Sequence, residues 1–172
     1  MTRKYFSLLL AIGLLLCFFS CAPPRERVEG GISTKGLYVG MLSSDFGAYF
    51  EENGADVKRW GVGDHVCFMD EWGDMVIVRF DYVSVSGNAR HVVDITTCEA
   101  KEPQQKSYLE EHLKGSSTFG DIVKVAGFPI DRIRNEAYDY FVFPVAGGEK
   151  LYVEFRIIYG TGGWGVSDFY FE

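Results

Sequence analysis

Beyond Cys21 the chain has no long apolar run. A membrane-spanning helix needs about 20 such residues, so no later segment is expected to cross a bilayer as one. Basic residues are scarce: 17 Lys and Arg stand against 24 Asp and Glu, for a net charge of −7. Nucleic-acid binding rests on clustered cations, so no nucleic-acid partner is expected. There is no Cys-x-x-Cys pair and no helical His pair. His65, Cys67, His91 and Cys98 fall on neighbouring strand-like segments, but a zinc site would need all four to converge, and ordinary strand packing is expected instead. Asp70-Glu71 and Asp74 surround a turn without the regular oxygen spacing of a calcium loop, which predicts a solvated turn. Gly160-Thr161-Gly162-Gly163 lies between strands and no P-loop Lys follows, so it makes no phosphate cradle. Cys67 with His91, and Ser43 or Ser86 with a histidine, lack a third orienting residue. No motif names a reaction; neither an enzyme nor a cofactor is expected.

What is present begins at the N-terminus. Arg3 and Lys4 give a basic start, Leu8 to Phe19 a short apolar core, and Ser20 a small residue before Cys21. This is the profile of a secretory signal. Ser20-Cys21 resembles the lipobox of bacterial lipoproteins, with Phe18 where Leu or Val is usual. That resemblance implies removal of residues 1–20 and lipidation of Cys21. Cys17, preceded by Leu16, fits less well; an ordinary signal peptide cut nearby, leaving Cys21 free, is the other alternative. A lipoprotein of the cell envelope of a diderm bacterium is expected, anchored to the outer membrane and facing the periplasm. Loss of Arg3 and Lys4 leaves 15 basic residues against 24 acidic ones, a net charge of −9. Anionic lipid repels such a chain, so the acyl groups must anchor it. Residues 21–33, with Pro23-Pro24, Arg25-Glu26-Arg27 and Gly30-Gly31, have the composition of a lipidated tether that holds the domain off the membrane. In an oxidising compartment Cys67 and Cys98 form either a disulfide or two buried thiols.

Aromatic content of 16% and 20 glycines favour strands and tight turns. Two stretches, 34–100 and 101–172, share one plan. Ser43 or Ser44 caps a helix running to about Glu52, ended by Asn53-Gly54. Ser117 or Thr118 caps another, with Asp121 at its positive end, Gly127 stopping it and Pro129 beyond. A helix from about Pro103 to Leu113 leads into the second stretch. Three strand-like segments follow each capped helix: His65–Met69, Met75–Val83 and His91–Thr97, then Ala137–Phe143, Lys150–Tyr159 and Trp164–Phe171. Trp72-Gly73-Asp74 and Ala146-Gly147-Gly148 mark hairpins, and Ser86-Gly87-Asn88 the next turn. Val76, Val78 and Phe80 match Leu151, Val153 and Phe155 on a buried face. Ile77, Arg79 and Asp81 match Tyr152, Glu154 and Arg156 on the opposite one. Val93-Asp94-Ile95 likewise matches Ser167-Asp168-Phe169. The expected fold is α+β: two tandem repeats of a short helix or helix pair plus a three- to four-stranded antiparallel meander sheet.

Gly40-Met41 before Ser43-Ser44-Asp45-Phe46, and Gly115 to Gly127-Phe128-Pro129, resemble the Gly-Met-Thr-x-x-x-Val opening and Gly-x-Pro exit of a group of envelope domains. These include the small lipoprotein of the outer-membrane barrel-assembly machinery and the beta-lactamase inhibitory proteins. Leu42 and Ser116 depart from that opening. The resemblance implies helices before an antiparallel sheet, two units in tandem in the inhibitory proteins, and non-catalytic binding of other proteins.

The same alternation gathers Tyr152, Glu154, Arg156, Trp164, Asp168 and Tyr170 on the non-core face of the second sheet, with Tyr138 and Tyr140 nearby. Trp, Tyr and Arg dominate interface energetics. These residues are the expected contact face for another envelope protein, as an assembly factor or inhibitor-like module. The alternatives are a small-molecule or peptidoglycan-fragment binding lipoprotein that stacks its ligand on the aromatics, and, third, an envelope hydrolase. Packing of this face on the first sheet or on a helix would be the unremarkable outcome.

Overall fold

The structure, a computed structural model, describes residues 25–29, 31–53, 57–81, 90–113, 118–136, 139–157 and 164–172. Residues 1–24 with Cys21, the Ser86-Gly87-Asn88 turn, Gly54, Tyr82-Val83, Gly115 to Ser117, Ala137-Tyr138 and residues 158–163 lie outside them.

Three described helices and eight strands alternate in blocks. Helix α1 (Ser43–Asn53) precedes β1 (Arg59–Val62), β2 (His65–Met69), β3 (Met75–Phe80) and β4 (Val92–Cys98). Helices α2 (Lys106–Leu113) and α3 (Phe119–Ala126) precede β5 (Asp131–Arg134), β6 (Asp139–Pro144), β7 (Lys150–Ile157) and β8 (Trp164–Phe171). Each set of four strands is an antiparallel sheet in chain order, β1-β2-β3-β4 and β5-β6-β7-β8. The protein is α+β with antiparallel sheets.

Local chemistry fixes the helices. In α1, Phe46 and Phe50 stand one turn apart and are buried against the sheet. In α3, Thr118 Oγ1 accepts the Asp121 N–H at 3.2 Å, and the Asp121 carboxylate accepts the Thr118 N–H at 3.2 Å. This capping box satisfies two donors the helix start leaves unpaired. Gly127, at φ 88°, ends the helix. Helix α2 starts later than its proline suggested, because the Gln104 backbone is used elsewhere: its carbonyl accepts the Ala146 N–H at 2.9 Å. The strands β1 and β5 were not expected. Arg-Trp-Gly-Val and Asp-Arg-Ile-Arg are short and charged or glycine-bearing, a composition suited to sheet edges and invisible to alternation.

The layers run α1, sheet 1, α2 with α3, sheet 2. Phe46 and Phe50 pack on Phe68, Val76, Val78 and Phe80 in one core. Leu109, Phe119, Ile122 and Val123 are packed from one side by Cys67, Met75 and Ile77 of sheet 1, and from the other by Phe141, Phe143, Leu151, Val153 and Phe155 of sheet 2. Val76, Val78, Phe80, Leu151, Val153 and Phe155 are therefore buried as their alternation predicts. Ile77, expected on the opposite face, is also buried, because that face of sheet 1 meets α2 and α3. Gly120 permits the approach: a Cβ there would stand 2.8 Å from His65 Cδ2.

The segment expected to be a free tether is fastened down over its described part. Ile32 is fully buried, and its carbonyl accepts the Glu71 N–H at 2.9 Å. The Val28 N–H donates to the Glu71 carbonyl at 3.0 Å. Gly31 lies so close that a Cβ would come 2.3 Å from the Asp70 carbonyl oxygen.

Candidate binding face

The face of sheet 2 turned away from α2 and α3 is built from cross-strand rows. One row is Asp131, Val142, Tyr152 and Tyr170; the next is Ile133, Tyr140, Glu154 and Asp168. Val142 and Tyr152 are buried, yet neither belongs to the two cores. Their neighbours on the face shield them. The Tyr152 and Tyr170 rings stack with centroids 4.7 Å apart and planes 1° from parallel, and Tyr140 meets Tyr170 edge-on at 5.4 Å. Aromatic pairs at such distances add about 0.5–1.5 kcal/mol beyond area burial. The Tyr152 hydroxyl titrates above its usual range, through desolvation and its hydrogen bond to Glu172.

Glu154 lies at the centre of the face and is only 5% exposed. Arg156 Nη2 donates to its Oε1 at 2.9 Å, and Ser167 Oγ donates to its Oε2 at 2.7 Å. Burial alone would raise this carboxyl. The bonds from Arg156 and Ser167 outweigh it and hold the group below the ordinary carboxylate range. The Arg156 side chain stays largely exposed, and Asp168 and Tyr170 are exposed beside it.

Five of the six expected face residues come together: Tyr152, Glu154, Arg156, Asp168 and Tyr170. Trp164 does not join them. Glu154 pairs with Asp168 and Phe155 with Val166, so Ser167 is an extra residue, a β-bulge. An extra residue flips every side chain beyond it to the other face. Trp164 accordingly packs against the inter-sheet core, where a Cβ on Gly63 would come 2.1 Å from its ring. A signal for the bulge was present in the sequence: Val166 and Trp164 break phase with Phe169 and Phe171.

On that inner side Trp164 lines a cleft of about 200 Å³ with Gly61 to Gly63, Phe141, Phe155, Arg132, Arg134 and Asp139. Arg132 grips Asp139 with two bonds, 2.7 Å and 2.5 Å, and lies 4.8 Å over the Phe141 ring. The Arg132 pairing holds the Asp139 carboxyl below its usual range. Arg134 is mostly exposed, 3.8 Å from the same carboxylate. Sequence reasoning missed this cleft, because β5 was unseen and Trp164 misplaced.

The other sequence candidates have structural occupations. Cys67 and Cys98 are free thiols, Cys67 buried and Cys98 half-buried. Burial pushes the Cys67 thiol well up, away from nucleophilic use. His65 Nδ1 lies 2.8 Å from Asp64, and His91 Nδ1 3.4 Å from Asp81. Among the described residues no three His, Cys, Asp or Glu side chains converge as a metal site. Asp70 is buried rather than solvated, since its Oδ1 accepts the N–H groups of Trp72 and Asp74 at 2.8 and 2.9 Å to close the turn. No described helix is long and apolar enough to cross a membrane. No family model, curated protein or solved structure matches the chain.

Proposed function

We propose that this is a lipid-anchored envelope protein of two tandem helix-plus-meander units whose terminal sheet face binds another envelope protein without chemistry. Duplication is supported by details beyond strand order. Sheet 1 carries a bulge between Arg79 and Phe80, and sheet 2 between Glu154 and Phe155, the positions that alternation matches. The two hairpins share their bonding: Asp70 N–H to Asp74 carbonyl and Val145 N–H to Glu149 carbonyl, with Gly73 and Gly148 both at positive φ. Each hairpin also receives a parallel bridge from the chain before its helix, Ile32 to Asp70 and Gln104 to Val145.

One observation carries the binding role. The face of sheet 1 that bears Ile77 is covered by α2 and α3, whereas its equivalent on sheet 2, bearing Tyr152, has no described element packed over it. That face is aromatic at its middle, charged at its rim and ordered by its own contacts, which suits a contact surface. The partner is an envelope protein, and the role that of an assembly factor or inhibitor-like module at the periplasmic side of the outer membrane. A photo-crosslinking residue at Tyr170 should yield a discrete adduct with another protein in cells, and the same residue at exposed Glu110 on α2 should not. Absence of any adduct from Tyr170 and Asp168 alike would sink the role. Cys21→Ala should release the protein from the membrane fraction; an unchanged acylated product would overturn the anchor.

A second reading follows from the cleft. Trp164, Phe141 and Phe155 offer an apolar wall and Arg134 a cation at the mouth, which suits a small anionic ligand. Trp164 emission distinguishes the two, since a cleft ligand perturbs it and a partner on the outer face does not.

A further inference from the structure

The β2–β3 hairpin tip and the segment strapped to it form a surface of unusual layering. Arg25 donates two bonds to the Asp74 carboxylate, 2.7 and 3.0 Å, and Arg27 lies 3.1 Å from Glu71. The arginine side chains are 58% and 69% exposed, and their carboxylate partners only 15% and 11%. The paired acids Asp74 and Glu71 thus lie underneath and their guanidinium partners outside, with Glu26 and Glu29 exposed on the same strap. Between the arginines and the turn sit exposed Trp72 and exposed Val28. The Arg27 guanidinium stands 5.6 Å over the Trp72 ring, and the side chain of Val28 lies beside Gly73. The strap is fixed by the Val28 and Ile32 backbone bonds, and its close approach depends on Gly31.

We propose that this patch is a bilayer contact: Trp72 and Val28 enter the interfacial layer while Arg25 and Arg27 meet lipid phosphates. Chain continuity argues for a membrane rather than a protein. Only Ala22-Pro23-Pro24 separate Cys21 from Arg25. Four Cα–Cα steps span at most about 14 Å, so an acyl chain on Cys21 brings the patch to the headgroups. Trp and Arg are the side chains that settle at that depth, Trp through its amphipathic ring and Arg by reaching phosphate with an apolar stem below. The domain is then held in a fixed orientation rather than swinging on a tether. This inference rests on the proposed anchor at Cys21.

The test uses the full, processed protein in phosphatidylcholine vesicles with bromine near the carbonyl end of the acyl chains. Intact mass reports acylation, and flotation reports binding. Entry of Trp72 into the interface should blue-shift one component of the emission from the three tryptophans, and shallow bromine should quench that component. That component should vanish in Trp72→Phe. Gly31→Ala should stay acylated and vesicle-bound while losing most of the quenching, because the strap is dislodged. If Gly31→Ala fails to fold, the Arg25→Ala, Arg27→Ala double variant answers the same question. Acylated, bound protein with unquenched Trp72 overturns the inference and leaves the anchor standing. Full quenching in the dislodged-strap variants overturns the role of the strap. Protein that carries no acyl group defeats the anchor, and the inference with it.

Discussion

Among the described residues, sheet 1 is packed on both faces and sheet 2 on one. The inner faces are alike, Val76-x-Val78-x-Phe80 against Leu151-x-Val153-x-Phe155, each under its own helices. The other faces diverge by composition. Ile77 and Cys67 occupy positions where sheet 2 has Tyr152 and Val142, and exposed Arg79 corresponds to Glu154. Strand order and register thus do not determine whether a sheet face becomes core. The side chains do, and so does the presence of a next element to cover them.

The largest effects should come where the two sheets agree. Phe80→Ala and Phe155→Ala each remove a buried ring, and each should cost about 3–5 kcal/mol in urea denaturation. Losses under about 1 kcal/mol at both would mean that the faces are assigned backwards. A second pair should differ in sign. Gly47 in α1 and Gly120 in α3 both follow a buried Phe, but a Cβ on Gly47 meets nothing within 4 Å. Gly47→Ala should stabilise by about 0.5–1 kcal/mol. Gly120→Ala, pressed on His65, should destabilise by about 1–3 kcal/mol. Equal shifts in Tm would contradict the tight packing of α3 on sheet 1.

Acid should weaken sheet 2. Glu154 and Asp139 both titrate below their ordinary values in the fold, Glu154 against the pull of its own burial and Asp139 through Arg132. Their stabilising contribution is therefore complete above the unfolded carboxylate pKa, about 4, and is lost as pH falls through the lower folded values. Glu154→Gln should flatten the acid limb of Tm against pH; an unchanged limb would show that the Arg156 and Ser167 bonds do not bias the titration. A small effect on stability, and the largest on binding, belongs to Tyr152→Ile, which brings in the residue of sheet 1. Unfolding should shift by about 1 kcal/mol, since the stack on Tyr170 is lost while an apolar side chain remains, and the Tyr170 crosslink should disappear. A crosslink that persists at full yield would remove Tyr152 from the contact.

Much of this could be read from residues. Thr118 with Asp121, and Phe46 with Phe50, announce helices through local bonding and spacing, and the strand phases of β3 and β7 follow strict alternation. What failed had specific causes. The bulge at Ser167 breaks the alternation on which the placement of Trp164 depended. Strands β1 and β5 owe their existence to a neighbour's backbone rather than to their own side chains. The strap looked like a tether because Arg25 and Arg27 find partners about fifty residues away in sequence, which no local pattern encodes.

The ion pair at the centre of the terminal face has a consequence for self-association. Sheet 1 packs on α2 and α3, and a like contact of sheet 2 on α1 of another molecule would repeat from molecule to molecule, growing a head-to-tail fibre. Here α1 offers exposed Asp45, Glu51 and Glu52 outward, and sheet 2 offers Asp168 and the Glu154–Arg156 pair. Stacking one on the other would set carboxylate against carboxylate and strip water from the Arg156 head. A contact between α1 of one molecule and the outer face of sheet 2 of another is therefore disfavoured, and that polar face acts against stacking.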